Sequence, residues 1–530
     1  MGYHDELIAL IISHKIDNKI DLHKTKINLC KKYKLNCVPP DSEVIANLPY
    51  DLPEKEKEKL FSILRKKPMR TISGVAVVAV MTSPDICPHG KCIPCPGGPE
   101  LDTPQSYTGH EPAALRAAYN EFDPFMQTTN RIKQLKAIGH PVDKIDLILM
   151  GGTFTSRLPS YMHWFVKRCF DGLNQKTAKT FEQAKRINES ASSRCIGLTV
   201  ETRPDWFRLQ HVDYVLNLGA TRVELGVQTV YDYILHDIHR GHTVSDTIAT
   251  TRIAKDAGFK VCYHMMPGLP GSNEEKDIDS FKTIFENSDF RPDMIKIYPT
   301  LTVKGTELYD LWKKGFYNPL TNDDAVKLIA KIKTFVPKWV RIQRIQRDIP
   351  ANLIDAGVNK SNLRQLVENE MQNSGQNCLC IRCREIGHKL LKEDIKIDQN
   401  QIDLEIIKYE ANEGTEIFLS FIGKENNGLI GYLRLRDIIN PHRYELVSNP
   451  CMMIRELKVL GRELSIGKRS QEGWQHRGFG KELIEEAVRI CSEEFDKKYL
   501  FVLSGIGVKP YYRKLGFIDR GAYLFKKLGG

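Results

Sequence analysis

From residue 74 onward, short apolar runs alternate with longer stretches of helical periodicity. Six runs rich in β-branched and aliphatic side chains, at 74–81, 145–150, 194–200, 222–228, 260–266 and 294–298, read as strands with helical connections between them. Strands joined in this way build a parallel sheet, so the expected class is α/β. Ahead of them, Ile8, Leu10, Ile11, Ile16 and Ile20 recur at roughly helical spacing, followed by Lys24, Lys26, Lys31, Lys32 and Lys34. That pattern predicts a small, basic helical region over 1–70. Past residue 400 the rhythm changes. Strands are expected at 416–422, 429–436 and 453–459, then a glycine-bearing turn, an amphipathic helix at 483–495 and a strand at 499–503. Four units follow: 1–70, 71–350, a linker at 351–400, and 401–530.

In a parallel barrel the chemistry sits on the loops at the C-terminal ends of the strands, and the unusual residues of this chain fall there. The first strand leads into Asp85-Ile-Cys-Pro-His-Gly-Lys-Cys-Ile-Pro-Cys-Pro-Gly-Gly98, which places Cys87, Cys92 and Cys95 within nine residues. Such a loop suits either three corners of an iron–sulfur cluster or a structural zinc knuckle, and spacing alone leaves both open. The second strand ends in Gly151-Gly152-Thr153, where the backbone can approach a ligand closely. After the third come Glu201 and Arg203, opposite charges on one face of an extended segment, suited to a zwitterion or ribose hydroxyls. Gln228 closes the fourth, and Pro267-Gly-Leu-Pro-Gly271 follows the fifth.

Three further segments carry candidate chemistry. Arg341, Arg344 and Arg347 recur at intervals of three and could neutralise successive phosphates; a plain surface helix is the alternative. Cys378, Cys380 and Cys383 lack one ligand for tetrahedral zinc, with His388 the nearest candidate; a ligand from elsewhere, or no metal, remains open. Gln475-His-Arg477-Gly478-Phe479-Gly480-Lys481 opens the amphipathic helix, whose unpaired amides would face an anion.

Composition narrows the classes. The 530 residues are 41% hydrophobic and 27% charged, ordinary for a globular chain of about two to four domains. No apolar run approaches the roughly 18 residues of a membrane span. No secretory signal is evident, and thirteen cysteines, an odd number in clusters, suit metal binding in a reducing compartment. A cytoplasmic protein with no membrane association is expected. A net charge of +11 favours polyanionic partners, nucleic acid among them.

Taken together, the cysteine loop after strand one and the Gly-Gly loop after strand two resemble the radical S-adenosylmethionine (SAM) family, which implies a partial (β/α)6 barrel. The family's usual spacing is C-x3-C-x2-C, and this chain has one residue more between Cys87 and Cys92. Pro96-Gly-Gly-Pro99, Gln105-Ser-Tyr-Thr-Gly109 and Glu111-Pro112 resemble the Elongator catalytic-subunit family in particular. The C-terminal unit, with Gln-x-x-Gly-x-Gly and Tyr511-Tyr512-Arg-Lys-Leu-Gly516-Phe517, resembles the GNAT acetyltransferases. The resemblance implies a [4Fe-4S] cluster on Cys87, Cys92 and Cys95, with SAM held by Gly151, Gly152, Thr153, Glu201, Arg203 and Gln228. It implies acetyl-CoA on Glu456, Leu457, Lys458 and Val459, on Gln475, Arg477, Gly478, Phe479, Gly480 and Lys481, and at Tyr512. Lys144 matches a lysine tied to the same ligand, and Tyr511 and Tyr512 are the candidates for handling the thioester. The implied activity is modification of the wobble uridine of transfer RNA: SAM-derived radical chemistry joins the acetyl carbon to C5, and hydrolysis leaves a carboxymethyl group. The anticodon stem-loop is the implied partner, gripped partly by the basic N-terminal region; homodimer formation is left open. The rival is a protein lysine acetyltransferase with a structural cluster, for which Glu456 would be the base.

Overall fold

The computed structural model describes residues 2–67, 71–393, 401–461 and 478–529. Seven parallel strands form one sheet in sequential order: β1 (Ala76–Met81), β2 (Lys144–Met150), β3 (Arg194–Thr202), β4 (Arg222–Gln228), β5 (Lys260–Met265), β6 (Met294–Ile297) and β7 (Arg341–Ile345). Every pairing is parallel, with Val78 opposite Leu147 and Cys262 opposite Met294. Val78, Val80, Leu147, Leu149, Val200, Val223, Leu225, Val261 and Ile295 are wholly buried between this half-barrel and its helices.

The six expected strands are present, and the seventh comes from the arginine segment. Here the structure corrects the idea of one exposed basic strip. Side chains alternate faces along a strand, so Arg341 and Arg344, three apart within β7, point to opposite sides, and Arg347 lies beyond the strand's end. Arg341 turns inward onto Glu385 at 2.8 Å, with a side chain only 14% exposed. Arg344 and Arg347 instead wall the cavity described below.

The C-terminal sheet runs β13-β14-β12-β11-β10-β9-β8. Its strands are β8 (Ile402–Ala411), β9 (Gly414–Gly423), β10 (Leu429–Asp437), β11 (Cys451–Val459), β12 (Tyr499–Val502), β13 (Ile518–Arg520) and β14 (Tyr523–Lys527). All pairs are antiparallel except β11 with β12. Three of these strands, β8, β13 and β14, are additions to the expected set. β8 is an edge strand with Leu404 and Ile406 exposed, and its Asp403, Glu405, Lys408 and Glu410 break the apolar pattern that marks a strand.

The N-terminal region is four helices, Tyr3–Ile12, Lys19–Lys32, Asp41–Ala46 and Glu54–Leu64, around their own core of Leu7, Ile8, Ile11, Ile16, Leu22, Leu29 and Leu60. Ile20, expected on that apolar face, is 69% exposed. It sits in the first turn of its helix, where Asn18 caps the amides of Ile20 and Asp21 and orients that turn outward.

The sheet of the C-terminal unit sits on the N-terminal rim of the half-barrel, and the contact is ionic and buried. Arg455 donates to Asp293 at 2.6 and 2.8 Å, to Glu416 at 2.8 Å and to the carbonyl of Phe259 at 2.6 Å. Arg434 donates to the carbonyl of Trp339, and Arg436 to Asp256. Trp339 and Tyr409 stack across the same boundary with ring centroids 4.3 Å apart.

Candidate active site

The C-terminal ends of the half-barrel strands converge on one cavity walled by Cys87, Cys92, Cys95, Gly152, Thr153, Glu201, Arg203 and Gln228. Every loop singled out for the first four strands therefore reaches it. Gly151 and Gly152 lie at φ of 129° and 82°, and a Cβ on Gly151 would stand 2.0 Å from the hydroxyl of Thr82. Only glycine fits there. A Cβ on Gly152 would come within 3.4 Å of the Cys87 sulfur, so the loop borders the thiols directly.

Hydrogen bonds pre-arrange the three sulfurs. The Cys87 sulfur lies 3.5 Å from the Thr153 hydroxyl, His89 Nε2 stands 3.0 Å from Cys92, and the Ser106 amide donates to Cys95 at 3.2 Å. Burial raises the thiols of Cys87 and Cys95 above their ordinary range, and these donors oppose it.

Glu201 accepts from Tyr107 Oη at 2.8 Å and faces Lys296 at 3.4 Å. Arg203 is clamped onto Asp205 at 2.6 and 2.9 Å and onto the Gly241 carbonyl at 3.0 Å. Its Nη1 is nonetheless buried with no protein partner, as is Oε1 of Gln228. Orphaned polar atoms of this kind on a cavity wall fit a polar ligand. Three thiols beside glycine backbone and unsatisfied polar groups therefore suit a cluster with SAM against it.

Sequence reasoning missed the polar floor of the cavity. Lys296 pairs with Glu224, whose carboxylate also accepts from His264 Nε2 at 2.9 Å, and Tyr298 stands beside that ring. Burial would raise Glu224, but Lys296 and His264 outweigh it and hold the carboxyl well below its ordinary range. The available signal was a lysine inside Met294–Ile297 and a glutamate inside Arg222–Gln228, charges within otherwise apolar strands. Tyr107, from the Gln105–Gly109 motif, also lines the cavity, as does Arg240, which the sequence did not single out.

The second cysteine group is compact: the sulfurs of Cys378, Cys380 and Cys383 lie within 4.8 Å of one another. Hydrogen bonds from the other two thiols hold Cys380 well below the ordinary thiol range. His388 is outside this set, with Nε2 3.7 Å from Glu385.

In the C-terminal unit, β12 accompanies β11 only over Cys451–Ile454, whereas β10 accompanies it to Val459. The neighbours part beside Glu456, Leu457, Lys458 and Val459. The helix Phe479–Arg489 starts there behind Gly478 at φ 103°. A Cβ on Gly480 would lie 2.9 Å from Tyr511 Oη and 3.6 Å from Val459 Cγ2, so Tyr511 brings its hydroxyl to the helix start. Tyr512, favoured by resemblance, is 4% exposed and packs edge-on against Phe517. Lys481 is on the first turn of the same helix; Gln475 and Arg477 lie outside the described residues. Lys144 opens β2 on the rim that carries the C-terminal unit. Glu456 is not a free carboxylate: Arg434 Nε donates to it at 2.9 Å.

Half-barrel, thiol loop and glycine loop define a radical SAM protein, and comparison with known sequences agrees. Residues 81–284 match the Radical SAM superfamily, 292–373 its C-terminal domain, and 3–72 the ELP3 N-terminal domain. Across 479 residues the chain is 54% identical to a tRNA uridine(34) acetyltransferase of Methanocaldococcus jannaschii, covering 90% of this chain and 88% of that one. It is 44% identical to Elongator complex protein 3 of Schizosaccharomyces pombe, covering 99% and 97%, and 42% identical to that of Homo sapiens, covering 99% and 96%. The solved archaeal Methanocaldococcus infernus Elp3 with an N-terminal deletion superposes with a TM-score of 0.77 at 49% identity, over 86% of this chain and all of that one. The chain belongs to the Elongator complex protein 3 family. Among the described residues no helix is long and apolar enough to cross a membrane.

Proposed function

We propose that the chain modifies C5 of the wobble uridine of transfer RNA, installing a carboxymethyl-type group from acetyl-CoA. One observation carries the reading: the thiol loop and the glycine loop share a single cavity with orphaned polar atoms, while in the other unit the neighbours of β11 part beside a helix that starts behind Gly478. Cys87, Cys92 and Cys95 hold a [4Fe-4S] cluster, and Gly151, Gly152, Thr153, Glu201, Arg203 and Gln228 surround SAM. When bound, these groups supply a deoxyadenosyl radical by one-electron cleavage. Protein groups do the rest by placement: Tyr107 and Lys296 fix Glu201, and the closed polar floor keeps water out.

Acetyl-CoA would be held by Glu456–Val459 and by the helix start at Gly478–Lys481, to which Tyr511 brings its hydroxyl. Arg344 and Arg347 at the cavity mouth meet the RNA backbone, and the N-terminal helices extend that contact. The uridine must leave its stack to reach the cavity. Cys378, Cys380 and Cys383 hold a structural zinc ion. The setting is the cytoplasm.

The lysine acetyltransferase reading is disfavoured by Glu456, whose carboxylate is already engaged by Arg434 and is a poor base for an ammonium. Mass spectrometry of transfer RNA after anaerobic incubation with SAM, acetyl-CoA and a reductant tests the proposal. Carboxymethylated uridine is expected; acetylated lysines with unmodified RNA would refute it.

A further inference from the structure

The segment after the helix Asp232–Asp237 is fastened to the cysteine loop at successive points. The Ile93 amide donates to the Ile238 carbonyl at 3.1 Å, and Arg240 Nη1 stands 3.7 Å from the Cys92 sulfur. A Cβ on Gly241 would fall 2.6 Å from that of His89, so the backbones are in close contact. Arg240 is also held from behind. Its Nε and Nη2 both donate to the carbonyl of Gly226 on β4, at 3.3 and 2.8 Å. A Cβ on Gly226 would lie 2.2 Å from Nη2, so the absence of a side chain there is what seats the guanidinium.

The sulfur it faces is the most exposed of the three: Cys87 and Cys95 are 8% exposed, and Cys92 is half-buried. His89 Nε2 approaches the same atom at 3.0 Å. A cation fixed against a ligand sulfur stabilises the added electron of the reduced state more than it stabilises the oxidised state. Hydrogen bonds to sulfur and local charge are the protein's means of setting a cluster potential.

We propose that Arg240, seated on Gly226, is a positioning residue for the iron–sulfur centre that donates to the Cys92 sulfur and raises the centre's reduction potential. The proposal rests on Cys87, Cys92 and Cys95 being the cluster ligands. Arginine suits the task because its charge is permanent and its fork can hold a carbonyl and a sulfur at once.

The test uses anaerobically reconstituted full-length wild type, Arg240→Gln and Arg240→Lys. Iron and sulfide content, visible absorption and an EPR-monitored redox titration without SAM are measured on each. Arg240→Gln should assemble the cluster yet be reduced about tenfold less readily at a given potential, a downward shift of about 59 mV for one electron. Arg240→Lys, which keeps the charge, should recover part of that shift. A wild-type midpoint in Arg240→Gln overturns the proposal, and lost SAM affinity at that unchanged midpoint would place the guanidinium on the SAM carboxylate instead. Should Arg240→Gln take up no cluster, a loaded Arg240→Lys with a near-wild-type midpoint supports the proposal. A folded but empty Arg240→Lys overturns it and makes the residue a strut of the loop. A wild-type chain whose absorption matches that of Cys92→Ser sinks the cysteine reading, and this inference with it.

Discussion

Arg455 of β11 and Asp293, which precedes β6, form a two-point ion pair at 2.6 and 2.8 Å with both side chains fully buried. The residues belong to different units of the chain, so this contact helps to lock the acetyltransferase-like sheet onto the rim of the half-barrel. Burial alone would raise the Asp293 carboxyl; Arg455 and Arg434 outweigh it and hold it well below the usual range. Asp293→Asn leaves the buried Arg455 with Glu416 as its remaining carboxylate partner and should reduce stability by about 3 kcal/mol. Equilibrium denaturation should show Asp293→Asn and Arg455→Met to be strongly non-additive, and simple additivity would mean that the pair does not couple the units.

The loop after β5 carries a pH-sensitive anchor. Asp277 accepts from the Gly268 amide at 2.8 Å and from Ser272 Oγ at 2.6 Å, yet burial lifts its carboxyl to about 6. With the folded value above the unfolded one, the folded state binds more protons between roughly pH 4 and 6. Stability from this group is therefore full below pH 4 and declines as pH rises through 6. Melting curves from pH 4 to 7 should fall for wild type relative to Asp277→Asn; parallel curves would remove the group from the account.

Arginines of the β7 segment should separate into two kinds. Arg344→Ala and Arg347→Ala should weaken transfer RNA binding and flatten its salt dependence by about one unit of slope each. Arg341→Ala should instead lower the melting temperature, because it strands Glu385 in the interior. A changed salt slope in Arg341→Ala alone would reverse the assignment.

At the proposed acetyl-CoA site, Gly480→Ala pushes a methyl into the Tyr511 hydroxyl and should weaken acetyl-CoA binding by about tenfold, or roughly 1.4 kcal/mol, in calorimetry. Tyr511→Phe should affect binding or turnover more than Tyr512→Phe, which should chiefly affect stability. The opposite order would return the role to Tyr512.

Replacing Cys92 and Cys95 together with serine should abolish the visible absorption of the reconstituted protein. Unaltered absorption would remove these thiols as ligands.

Much of the radical half was readable from the chain because its information is local. A β-branched run, a turn and a helix declare each βα unit, and the loop after each strand carries its own chemistry, as Gly151, Gly152, Glu201 and Gln228 do. The polar floor was harder to see, since Glu224, His264 and Lys296 sit on three different strands and acquire meaning only when those strands align. The exposed edge strand β8 was hidden by its own charges.

The sequence by itself determined the alternating elements, the thiol and glycine loops and the glycine turn before the last long helix, because those depend on backbone freedom and side-chain period within a few residues. Only the tertiary structure decided which arginine faces solvent, which tyrosine reaches the helix start, and that Arg455 finds Asp293 from 162 positions away. Such partnerships are settled when distant surfaces are desolvated together, where an unpaired charge is too costly to persist.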